Sequence, residues 1–130
     1  MPTTKLVRVY TGDDGCSHFQ DLELRMGEFR LGTLFSYKSG LVPVNGVVFR
    51  ENPLDGSDDF HNPPRRQFVI TLTGAVELKV SDGSTRVFGP GDVLFAEDTR
   101  GAGHSARELL GPRRSLILPV GDEFDLRLFL

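Results

Sequence analysis

A chain of 130 residues, 38% of them hydrophobic, is the size of one ordinary domain, and we read residues 1–130 as a single unit. Its 15 Lys and Arg are interspersed with 18 Asp and Glu, for a net charge of −3 and no basic block, which argues against a nucleic-acid partner. Cys16 is the only cysteine, so no intrachain disulfide is possible. No apolar run approaches the roughly 20 residues that span a bilayer and residues 1–15 have no signal-type apolar core, so no membrane association and a cytoplasmic location are expected.

Fifteen glycines and eight prolines, with no apolar stripe at helical spacing, point to short strands joined by tight turns. Residues 5–10 alternate as a first strand and end in the turn sequence 11–15. Residues 17–26 alternate as a second strand with one slip between Phe19 and Leu22. Residues 27–43 show no clean period and read as irregular chain with one short strand around 33–37. A strand over 45–51 is followed by a polar loop over 52–59. From Arg66 the pattern is regular: strands at 66–74, 75–80, 85–88 and 93–97, with turns at 81–83 and 89–92. A loop over 98–103 leads to strands at 104–110, 115–120 and 125–130. Strands at this spacing predict an all-β sandwich or barrel rather than a βαβ sheet.

The order His61, Gln67, Gly74, then Gly89-Pro90-Gly91-Asp92, then His104 resembles the two-motif signature of the cupin superfamily. That resemblance implies an all-β, cupin-type double-stranded β-helix, or jelly-roll barrel. Cupins usually place two histidines and a glutamate in the first motif and a third histidine after the Gly-Asp turn. Here Gln67 stands in the glutamate's place, the second histidine's place falls on Pro63, and Glu97 stands where a proline is common.

Strand alternation puts Gln67, Val69, Thr71 and Thr73 on one face and Phe68, Ile70 and Leu72 on the other. With Gln67 pointing inward the barrel mouth is polar, and the opposite strip, extended by Val76, Leu78 and Val80, needs covering by the N-terminal strands or by a second copy. A homodimer is the expectation. Of Arg65 and Arg66, parity turns one inward, and an inward Arg65 would grip an anionic group on a small-molecule ligand, the alternative being a salt bridge to a nearby acid. Phe60 and Thr71 are the other candidate substrate contacts.

Three uses of His61 and His104 are open at this level. With Gln67 they would ligate a divalent ion such as iron, manganese, nickel or zinc, in a metal-dependent enzyme with Glu97 as base or extra ligand, or with Asp98 supplying the carboxylate. As a metal-free acid/base pair they would serve an isomerase or epimerase of a sugar-like substrate. As polar residues without chemistry they would line a ligand-binding or sensing barrel. His18, Asp58, Asp59, Asp98 and Glu108 read as surface or solvated loop residues.

Overall fold

The computed structural model describes residues 3–53 and 56–130. Ten strands carry nearly all of the regular structure: β1 (Thr3–Thr11), β2 (Ser17–Arg25), β3 (Gly27–Leu31), β4 (Leu34–Lys38), β5 (Val48–Asn52), β6 (Ser57–His61), β7 (Gln67–Val80), β8 (Thr85–Phe88), β9 (Val93–Ala96) and β10 (His104–Pro119). Eight of them form one sheet in the order β2-β1-β9-β7-β10-β5, with β8 added to β7 and β6 to β10. The sheet is mixed, because β1 runs parallel to β9 while the other pairs are antiparallel. The edge strands β2 and β5 do not pair among the described residues, so the sheet encloses a cavity without closing into a barrel. No described helix is long and apolar enough to cross a membrane.

The long pair β7 and β10 organises the site. Each was expected as two strands, and each is instead one continuous strand carrying a bulge. Gly74 is the hinge in β7: its φ is +78°, and a Cβ there would run into the Leu110 carbonyl oxygen and the Arg113 backbone. Opposite it the register of β10 slips between Glu108 and Ser115. The bulge changes which face the strand presents. Val69, before Gly74, and Val76, Leu78 and Val80, after it, lie in one inner cluster with Val9, Phe88, Leu94 and Ala96. The expected strip running from Phe68 and Leu72 into Val76, Leu78 and Val80 is therefore corrected: the two halves face opposite sides of the sheet.

Phe68 belongs to a second, outer cluster with Leu6, Phe95, Val120, Phe124 and Leu126. The first strand and the C-terminal segment of the same chain thus cover it. Phe95 is fully buried there, with its ring centroid 4.6 Å from that of Phe68 and 5.7 Å from that of Phe124, and burying one such ring stabilises the fold by about 1.5–3 kcal/mol. The C-terminal segment is not the strand expected at 125–130. Asp125 accepts a hydrogen bond from the Arg127 amide at 3.0 Å and starts a 3-10 turn over Leu126–Phe129.

Two further expectations change. Residues 27–43 hold a whole hairpin, β3 and β4, turning at Gly32 (φ +60°) and forming a separate two-stranded sheet. The loop expected over 52–59 contains most of β6, which pairs with β10; Leu54 and Asp55 of that loop lie outside the described residues.

Candidate functional site

On the inner face, β5 to β7, β9 and β10 surround a cavity of about 390 Å³. A larger groove, of about 680 Å³, lies between β2 and β8, but none of its charged residues is buried, and Arg86 there is forked onto Asp21. Chemistry concentrates in the inner cavity.

One wall is built from the end of β9 and the loop after it. Alternation continues past the strand: Ala96 faces in, Glu97 out, Asp98 in. Asp98 is completely buried, and its Oδ2 accepts a hydrogen bond from His104 Nδ1 at 2.6 Å. The Asn62 amide donates to the Asp98 carbonyl at 2.9 Å and holds the loop in place. Asp98 Oδ1 is buried with no hydrogen-bond partner. A carboxylate accepts only from a protonated Nδ1, so in the neutral ring that donates this bond the lone pair is on Nε2.

His61 pairs with His104 across β6 and β10, and the two ring centroids stand 4.9 Å apart, tilted by 58°. His61 Nδ1 donates to the Asp59 carbonyl at 2.9 Å, so its free lone pair is also on Nε2. The approach of the two strands depends on Gly103. A Cβ on that residue, at φ +71°, would collide with the His61 carbonyl. Ser17, fully buried at the start of β2, donates from Oγ to the Gly103 carbonyl at 2.5 Å and fixes the loop from the other side.

A second wall comes from β5 and the far half of β10. Arg113 is forked onto Glu108, with Nε–Oε2 at 2.8 Å and Nη2–Oε1 at 2.8 Å, and Asn52 donates to the same Oε1 at 2.7 Å. Burial pushes the Glu108 carboxyl up, but the bonds from Arg113 and Asn52 outweigh it and hold it below its usual range. Arg50 donates from Nε to Ser115 Oγ at 3.0 Å.

Of the residues expected at the site, His61, Arg65, Gln67, Thr71 and His104 all line this one cavity. Arg65, exposed, lies at the cavity mouth, and Arg66 turns outward to Glu97 and the Phe124 carbonyl. Two expected residues do not line the cavity. Glu97 is held between Arg8 and Arg66 on the outer face, because it is one residue out of phase with Ala96 and Asp98. Phe60 sits on β6 with its side chain away from the lining and 45% exposed. Arg50, Asn52, Glu108 and Arg113 are the site residues that sequence reasoning missed, and Asp98, weighed only as an extra metal ligand or a solvated acid, is instead the partner of His104. Alternation from Leu94 through Ala96 would have found Asp98, and alternation along β5 would have found Arg50 and Asn52.

No family model matches this chain, and no curated protein matches it.

Among the described residues no three His, Cys, Asp or Glu side chains are grouped to hold an ion. Two imidazoles and the Gln67 amide face the cavity, while Asp98 is committed to Nδ1 of His104 and Glu97 is turned away. Without an anionic ligand beside the histidines, the set does not fit a tightly held ion.

Proposed function

We propose that this chain is a small-molecule enzyme with a cupin-like, open jelly-roll fold, and that it moves a proton at a carbon next to a carbonyl group. One observation carries the reading: a fully buried carboxylate holds His104 in a single tautomer, beside a second imidazole, in a small cavity. His104 Nε2 is the base. Asp98 orients the ring and stabilises the positive charge that the ring gains, in surroundings where a paired charge interacts strongly. The proton taken up on His104 Nε2 is then returned from the same nitrogen to the adjacent atom, and His61, anchored through Nδ1, presents its Nε2 lone pair as a hydrogen-bond acceptor for a substrate hydroxyl. Thr71 and Gln67 supply polar contacts for the carbonyl oxygen, and Arg65 adds positive charge at the mouth that draws in an anionic ligand. The cupin assignment is supported by the spacing of Gln67, Gly74, Gly89–Asp92 and His104.

Solvent exchange tests the reading directly. The protein, stripped with a chelator, is incubated in D2O with a panel of aldoses, ketoses and 2-oxo acids, and deuterium entry next to the carbonyl is followed by NMR. Exchange on a panel member, slowed by about 10²-fold or more in His104→Ala, is expected of a general base. Exchange that is lost on chelation and regained with iron, manganese, nickel or zinc would replace the metal-free reading with a metal-dependent one. Absence of exchange across the panel, with and without those ions, would leave a binding barrel.

A homodimer belongs to the same proposal. The β3–β4 hairpin has no sheet partner among the described residues, exposes Leu31 and Leu34, and a lone hairpin is marginally stable in water. Phe49, 77% exposed on the free edge strand β5, offers a second copy an apolar surface. Sedimentation equilibrium is expected to give twice the 14.4 kDa chain mass; a monomer at every concentration would remove the dimer.

A further inference from the structure

We infer that Arg50 is the anchor for an oxyanion on the ligand, which makes the bound molecule a small anionic carbonyl compound held between Arg50 and the two histidines. This rests on the cavity being the ligand site proposed above and adds the chemistry that selects the ligand.

Charge on the β5–β10 wall does not balance. Two guanidinium groups, Arg50 and Arg113, line the cavity on this wall with one carboxylate, Glu108; Asp58 and Arg65, both exposed, line it as well, and Asp58 forms no ion pair with Arg50. Glu108 is fully engaged: Arg113 takes both oxygens, and Asn52 adds a bond to Oε1. Both members of that ion pair are at most 10% exposed and satisfy each other. Arg50 is left with one bond, from Nε to the neutral Ser115 hydroxyl, and forms no ion pair among the described residues. Its two terminal nitrogens make no hydrogen bond to a described residue, and Arg50 lines the cavity.

Such an arrangement costs stability. Burial, and then the neighbouring Arg113 charge, push the Arg50 guanidinium down from its usual value. A half-buried cation that only a hydroxyl contacts is a poor structural device, since a neutral side chain of similar shape would avoid the cost. It is a good receptor for an anion. With Nε engaged, the fork's outer edge remains, two parallel N–H groups that match the two oxygens of a carboxylate or two oxygens of a phosphate. Thr71 pairs with Ser115 in register and also lines the cavity, adding a neutral donor beside the fork. At about 390 Å³ the cavity is at the small end of ligand sites, which suits a metabolite rather than a polymer.

The test separates a ligand anchor from a structural arginine by reading binding and stability together. Pyruvate and inorganic phosphate are titrated separately into the full chain, following the arginine Nε–H signals by NMR and the melting temperature by circular dichroism. The Arg50 signal is expected to move, and the melting temperature to rise, with whichever of the two oxyanions the site prefers. In Arg50→Gln the affinity is expected to fall by about tenfold or more, the loss of a charge-assisted pair, while the unliganded melting temperature stays level or rises. Arg50→Lys recovers part of the affinity, and Arg114→Gln, on the exposed face of β10, keeps all of it. Binding in Arg50→Gln within twofold of the parent, or no response of the parent to either anion, overturns the inference. So does a fall in the unliganded melting temperature of Arg50→Gln with affinity unchanged. The two readings fail separately: deuterium exchange that persists while Arg50→Gln binds normally removes only the anchor, and anion binding lost in Arg50→Gln by a protein that exchanges nothing removes only the proton transfer.

Discussion

A double-mutant cycle on Asp98 and His104 measures whether the pair is one energetic unit. The bond is short, at 2.6 Å, and the side chains are 0% and 9% exposed, so water replaces neither partner when the other is removed. His104→Ala leaves a buried carboxylate with both oxygens unpartnered, because Oδ1 has no bond to begin with. Breaking a buried pair in this way costs about 3–5 kcal/mol. Asp98→Ala leaves a single neutral N–H orphaned, a cost of about 1–3 kcal/mol. In the double variant both desolvation costs vanish and only lost packing remains. It should therefore be more stable than His104→Ala alone, with a coupling of about 1.5–3 kcal/mol, the size of a hydrogen bond to a charged group. Urea unfolding followed by circular dichroism suits a chain without tryptophan. Single-variant losses that add within about 0.5 kcal/mol would refute the coupling and, with it, the orienting role of Asp98.

Three further outcomes follow from contacts elsewhere. Gly103→Ala should lose more than the roughly 1–2 kcal/mol that a left-handed backbone costs an ordinary residue, since the added methyl also strikes the His61 carbonyl; a loss below that range in urea unfolding would contradict the close approach. Glu97→Gln should weaken the Arg8 and Arg66 contacts and lower the melting temperature, yet leave anion binding in the cavity unchanged; reduced binding would place Glu97 at the site after all. His18 is raised by its bonds to Asp14 and then Asp82, so its contribution is full below its unfolded value near pH 6.5 and is lost as pH rises through the higher folded value. The melting-temperature gap between the parent and His18→Gln should accordingly be wider at about pH 5.5 than at about pH 8, and an equal gap would refute it.

Much of the inner wall was legible because strand alternation is a local property. Gln67, Val69 and Thr71 share a face in sequence and in space, and the outward turn of Arg66 follows from the same parity. What alternation alone misses is where it stops. Gly74 shifts the phase of β7 by one residue, and nothing local distinguishes a hinge glycine inside a strand from one that ends it. Asp98 reads as a solvated acid beside Thr99 and Arg100. Its burial comes from distant contacts: Asn62 on its carbonyl, Ser17 on the Gly103 carbonyl, and the His104 ring. Glu108 likewise reads as an exposed acid until the bulge in β10 brings Arg113 onto it. The C-terminal segment alternates well enough for a strand, but one side-chain bond, from the Arg127 amide to Asp125, turns it into a 3-10 helix.

Continuity of β7 and β10 through their shared bulge has a consequence for selectivity. His104 and Ser115, which holds the Arg50 side chain of β5, are stations on one strand, β10, joined through the bulge opposite Gly74. Their separation is therefore a property of the backbone, and the strand works as a ruler: a ligand whose anionic and reacting ends are spaced to match fits both, and a shorter or longer one reaches only one. Changing the length that is read would take an insertion or deletion at the bulge around Gly74, which would also reverse the faces of everything beyond it. Point substitutions can retune what each end of the cavity grips, but the distance between the grips is fixed by the fold.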